Sequence, residues 1–111
     1  MKMIKNCLTD LHVHSRFSYD SDEETEKYVE KAVALGEERI GFVQHYDYDR
    51  FLLERDAPLC DIDAYYREIK RLREKYEGRI GILFGIEFGY DKRAVAQYRA
   101  LTEKYPFDYV I

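Results

Sequence analysis

Apolar residues along the chain are gathered into four short runs that are separated by three charged stretches. The runs extend from Cys7 to His14, from Arg39 to His45, from Ile80 to Gly89 and from Phe107 to Ile111. Short apolar runs are typical of buried strands, whereas longer stretches with an apolar position at every third or fourth residue are typical of helices. The pattern therefore predicts the order strand, helix, strand, helix, strand, helix, strand.

Each charged stretch carries start and stop signals of a helix. Ser21-Asp22-Glu23-Glu24 has the composition of a capping box, and the helix that follows is expected to end near Gly36. The second helix is expected from Asp61–Asp63 to Gly78, and Pro106 ends the third. The faces expected to be buried carry Tyr28, Ala32 and Leu35, then Tyr65, Ile69, Leu72 and Tyr76, and finally Ala94, Tyr98, Leu101 and Tyr105.

Strands that alternate with helices indicate parallel βαβ units with right-handed crossovers. We therefore predict an α/β fold, either an open doubly wound sheet or part of a barrel. The last apolar run stops at Ile111, within what should be a buried strand. On this basis the chain is expected to be part of a longer domain. Its sheet edges would then be apolar and unpaired, so self-association is expected.

The composition limits the classes of protein to which the chain can belong. The 111 residues include 18 basic and 22 acidic side chains, and this net charge of −4 argues against a dedicated nucleic-acid binder, since such proteins present basic surfaces. No apolar run reaches the roughly 18 residues of a membrane-spanning helix, and no signal peptide is evident, so a cytoplasmic location is expected. Cys7 and Cys60 are far apart in sequence and are expected to be packing or surface thiols.

The first run carries a candidate metal site. Side chains alternate along a strand, so Asp10, His12 and His14 are expected on one face, and two imidazoles with this spacing can reach one metal ion. Asp10 could accept the free ring N–H of His12 and fix its orientation. Taken alone, the histidine pair fits a hydrogen-bonded or surface pair equally well.

Further candidate ligands stand where the next strands end. His45 and Glu87 close the second and third apolar runs, and the carboxyl ends of parallel strands are where α/β proteins build their sites. A core or capping histidine and a loop-exposed carboxylate are the alternatives. Asp20 is either a further ligand or a turn residue before the first helix. Histidine with carboxylates suits Zn²⁺, Mn²⁺ or Fe. The stretch Tyr46-Asp47-Tyr48-Asp49 is interpreted as a solvated loop in preference to a pocket rim.

These motifs together resemble the PHP (polymerase and histidinol phosphatase) superfamily. Its first motif is similar to Asp10-Leu11-His12-Val13-His14-Ser15 with Ser18 and Asp20, its second to the run that ends at His45, and its third to Gly85-Ile86-Glu87. The histidinol-phosphatase branch is the most similar, through Asp63 to Tyr76, Ile82 to Gly89 and Lys104 to Ile111.

The resemblance implies a distorted (β/α)₇ TIM-like barrel with two or three divalent metal ions at the carboxyl ends of its strands. Residues 1–111 would be its N-terminal βαβαβαβ portion, a partial PHP domain that lacks the C-terminal half of the barrel and the ligands beyond Ile111. It also implies that His12, His14 and Glu87 hold one ion, that Glu87 bridges to a second, and that Asp20 and His45 serve a further ion.

The second motif departs from the family pattern. Where the family usually has Thr-Asp-His, this chain has Val43-Gln44-His45, and glutamine does not carry the charge of a carboxylate.

The expected activity of the full-length parent is hydrolysis of a small phosphate monoester, L-histidinol phosphate, by metal-activated hydroxide in histidine biosynthesis. Glu87, His45 and Asp20 are the expected catalytic residues. Arg16 is a candidate contact for the phosphate or an ordinary surface arginine. Two alternatives stay open: a nuclease or nucleotide phosphoesterase of the same superfamily, and a structural portion with an incomplete metal site. Whichever of these functions the parent has, the isolated 111-residue chain is expected to be inactive.

Overall fold

The computed structural model describes residues 9–48, 59–89 and 91–111. Strands and helices alternate in the order that the sequence predicts. The elements are β1 (Thr9–Val13), α1 (Thr25–Ala34), β2 (Arg39–Tyr46), α2 (Ile62–Lys75), β3 (Gly81–Phe88), a short 3₁₀ turn (Lys92–Ala94), α3 (Val95–Lys104) and β4 (Tyr109–Val110).

The four strands form one parallel sheet in the order β1-β2-β3-β4. β2 and β3 pair along their whole length, from Arg39 opposite Gly81 to Tyr46 opposite Phe88. A helix separates each strand from the next, so every connection is a βαβ crossover. The predicted α/β class is confirmed.

One face of the sheet packs against the helices and holds the apolar core. β2 and β3 contribute alternate residues to it, as expected for strands, and the helices contribute the buried faces that their periodicity predicts. Each large side chain buried in this way stabilises the fold by roughly 1.5–3 kcal/mol. The strand members are Ile40, Phe42, Ile82, Phe84 and Ile86, and the helix members include Val29, Ala32, Tyr65, Ile69, Leu72 and Tyr76.

Tyr65 ties α2 to the two central strands. Its ring is fully buried, and the single proton of its hydroxyl is shared between the carbonyl oxygens of Phe42 (3.0 Å) and Gly85 (2.7 Å). Burial raises the pKa of this hydroxyl well above its usual value. The one polar atom of the side chain is therefore satisfied within the core, as buried polar groups generally are.

The first helix ends near Gly36, as predicted, but its start and the burial of Leu35 differ from the prediction. It begins at Thr25 with Glu24 as N-cap, and no side chain caps it, so the predicted capping box is wrong. At the other end Gly36 adopts φ +75°, while the Gly36 and Glu37 N–H groups donate to Val33 and Ala32 carbonyls in a Schellman turn. Leu35 is the C-cap residue, where the chain leaves the helix, and it is 59% exposed instead of buried.

The second helix agrees with its prediction. The Asp61 side chain accepts a hydrogen bond from the Ala64 N–H at 3.0 Å and caps the first turn. Cys60, just before it, is a buried free thiol whose pKa burial raises to about 12, so of the two predicted roles, packing and surface thiol, it has the first. Cys7 lies outside the described residues.

The opposite face of the sheet, which we call the inner face, is crossed by Tyr109. Its ring passes over Gly85 and Gly41, and its hydroxyl donates to the Leu11 carbonyl of β1 at 2.5 Å. A Cβ atom on Gly41 would collide with that hydroxyl, and one on Gly85 would lie 2.9 Å from the ring. The two glycines therefore make room for a side chain that joins β4 to β1.

None of the helices in the described ranges is both long and apolar enough to cross a bilayer. The cytoplasmic location expected from the sequence stays a prediction.

Candidate metal centre

The candidate ligands meet on the inner face, at the carboxyl ends of β1, β2 and β3. His45 and Glu87 are direct register partners in β2 and β3. Direct partners in a sheet point to the same face, and the two side chains are therefore neighbours. The positions of these two residues agree with the sequence prediction.

β1 reaches the same place through an irregularity in its pairing. Asp10 pairs with Ile40 but Val13 pairs with Phe42, so β1 contains one more residue than β2 over this interval. Such a bulge interrupts the alternation of side chains. As a result His12 points toward Glu87, whereas Asp10 accepts the backbone N–H of His12 at 3.1 Å and not, as predicted, its ring N–H.

Three side chains converge from β1, from the residue that directly follows it, and from β3. His12 Nε2 lies 2.6 Å from Glu87 Oε1, and His14 Nε2 lies 3.8 Å from the same oxygen. The two imidazole rings stand edge to face, with centroids 5.1 Å apart. One ligand atom from each of the three residues falls within 4.8 Å of the others, which is compatible with one shared ion.

A second set of three overlaps the first. His14, Asp20 and His45 also bring ligand atoms within 4.8 Å of one another. His45 Nε2 lies 3.2 Å from Asp20 Oδ2, and the His14 and His45 rings stack at 4.4 Å. Glu87 links the two sets, because its Oε1 faces His12 while its Oε2 lies 3.2 Å from His45 Nδ1.

Two atoms at the centre of the cluster support a cation there. Glu87 Oε1 and His45 Nδ1 are buried, and neither has a hydrogen-bond partner among the residues that the structure describes. Both have close neighbours, at 2.6 and 3.2 Å, but these contacts lack hydrogen-bond geometry. Buried polar atoms are costly when left unpaired. Divalent cations bound by the two overlapping sets would provide partners for such atoms, and the donor set of imidazoles and carboxylates suits Zn²⁺, Mn²⁺ or Fe.

The electrostatics keep His14 in the form that binds metals. Burial lowers the pKa of its imidazole, and the nearby His45 ring lowers it further, against the opposing effect of Asp20 and Glu87. The side chain is therefore neutral at physiological pH. A neutral imidazole has a free lone pair, which metal coordination requires.

A folded loop brings Asp20 to His45. Between β1 and α1, the Ser18 N–H donates to the Ser15 carbonyl at 2.8 Å, and the Ser21 N–H donates to the Ser18 carbonyl at 3.2 Å. These successive turns carry Asp20 back over the end of β2. Its side chain is 42% exposed, so Asp20 forms the solvent side of the cluster.

Sequence reasoning missed the environment of Gln44. This side chain has no exposed surface and forms hydrogen bonds with Ser15 and Ser18 in the loop after β1. The signal that could have found it was its position: a polar residue on the helix-facing side of an otherwise apolar strand needs buried partners.

Asp47 was also missed. Its carboxylate is mostly buried and lies 3.6 Å from His45 Nδ1, while the neighbouring Tyr46 packs edge to face on Phe88 and Tyr98. The interpretation of this stretch as a solvated loop is therefore wrong for Tyr46 and Asp47. Asp49 lies outside the described residues.

Arg16 lies apart from the ligand cluster. Its guanidinium is 3.0 Å from Glu24 and sits over the Phe17 ring at 4.3 Å. It lines a cavity of about 250 Å³ with Tyr19 and Asp61. A different cavity, of about 360 Å³, is lined by His12, His14 and Asp20. The role of Arg16 in phosphate binding stays a prediction.

The sequence of the chain is similar to those of histidinol-phosphatases from several organisms. The chain is 37% identical over 102 residues to histidinol-phosphatase from Lactococcus lactis, and 29% identical over 103 residues to a probable histidinol-phosphatase from Clostridium acetobutylicum. A probable histidinol-phosphatase from Schizosaccharomyces pombe is 27% identical over 110 residues. Each alignment covers 90–92% of this chain, which spans only 36–37% of the length of these relatives.

A solved structure is similar as well. Histidinol phosphate phosphatase from Lactococcus lactis, in complex with zinc, L-histidinol and phosphate, superposes with a TM-score of 0.82 at 33% identity. The alignment covers 92% of this chain and 38% of that one. It confirms the predicted relation of the fold to the TIM-like barrel of the histidinol phosphatases.

The family model described as the PHP domain matches residues 10–111. That range includes β2, β3 and β4, all of β1 except Thr9, the helices α1, α2 and α3, and every candidate ligand. The chain therefore belongs to the PHP family.

Proposed function

We propose that this chain carries one side of the metal centre of a phosphatase that hydrolyses L-histidinol phosphate. The observation that supports this most directly is Glu87, whose two oxygens face two overlapping sets of ligands while Oε1 has no hydrogen-bond partner among the described residues. A carboxylate in this arrangement is suited to bridge two cations. The relative of known structure binds zinc, L-histidinol and phosphate, and it supplies the substrate class.

The ligands divide between two ions. His12, His14 and Glu87 would hold one, and His45 and Asp20, with Glu87 as the bridge, would hold another. When bound, divalent ions supply positive charge to the phosphoryl oxygens and lower the pKa of water toward neutrality. The number and identity of the ions are part of the proposal, with Zn²⁺, Mn²⁺ and Fe as candidates.

The residues of the chain itself would hold the candidate ligands in place and supply charged groups near the substrate. β2 and β3 hold His45 and Glu87 in register, so their separation is fixed by the sheet and not by a flexible loop. Asp20, half exposed at the edge of the cluster, faces the side from which a small phosphorylated substrate can enter. Arg16 is proposed as a phosphate contact, which would require its guanidinium to leave Glu24.

The test measures phosphate release from L-histidinol phosphate. Two proteins are compared: the 111-residue chain, and the product of the longest reading frame that contains it. Each is stripped of metal and then supplied with Zn²⁺, Mn²⁺ or Fe²⁺, and bound metal is counted by mass spectrometry. We expect the longer protein to release phosphate and the chain alone to be inactive, because the chain covers little over a third of its relatives.

Matched variants test whether activity and metal binding depend on Glu87 itself. Glu87→Gln keeps the shape of the side chain and should remove activity and at least one bound ion. Glu103→Gln makes the same change on an exposed position of α3 and should alter neither. If the longer protein ignores L-histidinol phosphate but cleaves a phosphodiester or DNA, the nuclease alternative replaces this proposal.

Self-association is a separate part of the proposal. Leu11 on β1 and Val110 and Ile111 at the end of β4 are 43–51% exposed, and exposed apolar edges of a sheet tend to pair with further copies. We expect the 111-residue chain to sediment as dimers or larger species. A monomer at concentrations of tens of micromolar would contradict this part alone.

A further inference from the structure

A buried polar network connects the centre of β2 to the loop after β1. Gln44 has no exposed surface, and Ser15 and Ser18 are buried beside it. Three hydrogen bonds of 2.7–2.9 Å join the Gln44 amide to these serines. Ser18 in turn contacts His14 and the backbone of His45, two of the candidate ligand positions.

The orientation of the Gln44 amide is fixed by its neighbours. The backbone N–H of Ser15 can only donate, and it lies 2.9 Å from Oε1. The atom that faces it must therefore be the carbonyl oxygen, which leaves Nε2 to donate to the Ser15 hydroxyl at 2.8 Å.

The hydrogen bonds of Ser18 can be counted completely. A hydroxyl has one proton and two lone pairs. Its proton goes to Gln44 Oε1 at 2.7 Å, since a carbonyl oxygen can only accept. One lone pair accepts the backbone N–H of His45 at 2.9 Å. The remaining lone pair faces His14 Nδ1 at 3.4 Å, and it requires a hydrogen on that nitrogen.

The tautomer of His14 follows from this count. When Nδ1 of a neutral imidazole carries the proton, Nε2 has the free lone pair. In His14, Nε2 is the atom that faces Glu87 Oε1. We propose that Gln44 and Ser18 are positioning residues that fix the Nδ1–H tautomer of His14 and direct its Nε2 lone pair into the ligand cluster.

This inference deepens the proposed function and rests on it for the role of His14 as a ligand. It also explains why Gln44 can occupy a position where the family usually has a carboxylate. The network needs an oxygen that accepts from Ser15 and Ser18, and both an amide and a carboxylate provide one. The negative charge itself is not required.

The first experiment reads the tautomer directly in the metal-free chain. Long-range ¹H–¹⁵N spectra distinguish Nδ1–H from Nε2–H, and the chain has only three histidines to assign. We expect His14 to carry its proton on Nδ1. Gln44→Leu removes the acceptor, so the Ser18 hydroxyl can donate to His14 Nδ1 and the proton should move to Nε2. Gln44→Glu keeps the acceptor and should retain the wild-type tautomer.

Two further variants control for misfolding of Gln44→Leu and for effects that any glutamine-to-leucine substitution would have. Ser18→Ala is a smaller change, and it should leave the His14 tautomer mixed even if Gln44→Leu fails to fold. Gln97→Leu makes the same substitution on the exposed face of α3 and should change nothing. His14 with Nε2–H in the wild type, or with an unchanged Nδ1–H in both Gln44→Leu and Ser18→Ala, would overturn the inference.

Zn²⁺ titration gives the second readout. Loss of a residue that orients a metal-binding histidine typically weakens affinity on the order of 10- to 100-fold. We expect that loss in Gln44→Leu and Ser18→Ala, and rescue in Gln44→Glu. Equal affinity in all variants would contradict the positioning role. A wild type with the expected tautomer but no metal binding would instead contradict the proposed function and leave the tautomer assignment standing.

Discussion

Glu26 and Glu87 are equally exposed, yet their surroundings are opposite. Their side chains are 20% and 21% exposed. Glu26, on α1, receives hydrogen bonds from Lys75, from Arg71 at 2.8 Å and from Tyr76 at 2.9 Å. These donors hold the pKa of Glu26 at about 2, with Lys75 and Arg71 contributing most.

Glu87 has no comparable donors in the described part of the chain. Its neighbours are the imidazoles of His12, His14 and His45, and its Oε1 has no hydrogen-bond partner there. Exposure alone therefore does not separate a structural carboxylate from one that is proposed to bind a metal ion. The difference lies in the partners: the charge of Glu26 is neutralised within the chain, whereas that of Glu87 is suited to a cation from solution.

The largest expected effect is stabilisation by metal. A ligand that binds only the folded state adds about 2.7 kcal/mol to the free energy of unfolding at 100 times its Kd. We expect Zn²⁺ to raise the urea midpoint of the wild type and of Glu26→Gln, and to leave that of Glu87→Gln unchanged. Unfolding followed with and without Zn²⁺ tests this. Equal stabilisation of all three proteins would place the metal elsewhere.

Smaller changes in the free energy of unfolding are expected for these two variants in the absence of metal. Glu26→Gln should lower the free energy of unfolding by about 1 kcal/mol, because its partners are half exposed and solvent screens such pairs. Glu87→Gln removes a charge that lacks donors, so it should cost less than Glu26→Gln or stabilise the chain. Urea unfolding in chelator-treated buffer measures both. The comparison fails if Glu87→Gln proves the more destabilising of the two.

The smallest effect is the pH dependence of the Glu26 contribution. The pKa of Glu26 is about 2 in the folded chain and 4.5 in its ordinary state, so the carboxylate stabilises the fold above about pH 5. The contribution is lost as the pH falls through 4.5 toward 2. The difference in stability between wild type and Glu26→Gln should therefore shrink over that range. A difference that stays constant down to pH 2 would show that packing, not charge, is responsible.

The sequence was sufficient to predict the regular elements. α2 has an apolar position at every turn and a capping aspartate at its start, and β2 and β3 are mostly apolar, with polar side chains only at Arg39 and toward their carboxyl ends. In these segments the helix or strand preference of the local sequence agrees with the packing of the folded chain. At Leu35 they conflict, because the Gly36 turn takes the chain out of the helix before the apolar position can face the core.

The site was predictable only in part. Candidate ligands at strand ends could be placed, since parallel strands end at one edge of the sheet. The bulge that turns His12 toward Glu87 could not, because bulges depend on pairing with β2. The hydrogen bonds of Gln44 are made to Ser18 and Ser15, which precede it by 26 and 29 positions. The sequence around Gln44 does not indicate that these two serines are its partners.

The hydroxyl of Tyr109 bonds to a carbonyl 98 positions earlier in the chain. Closing so long a loop costs conformational entropy, and the bond can form only after β2 and β3 have assembled between its two ends. We therefore expect it to form late in folding and to couple the opening of one outer strand to that of the other. Because Leu11 precedes His12 directly, we expect the contact that joins the outer strands also to help order the candidate ligand His12.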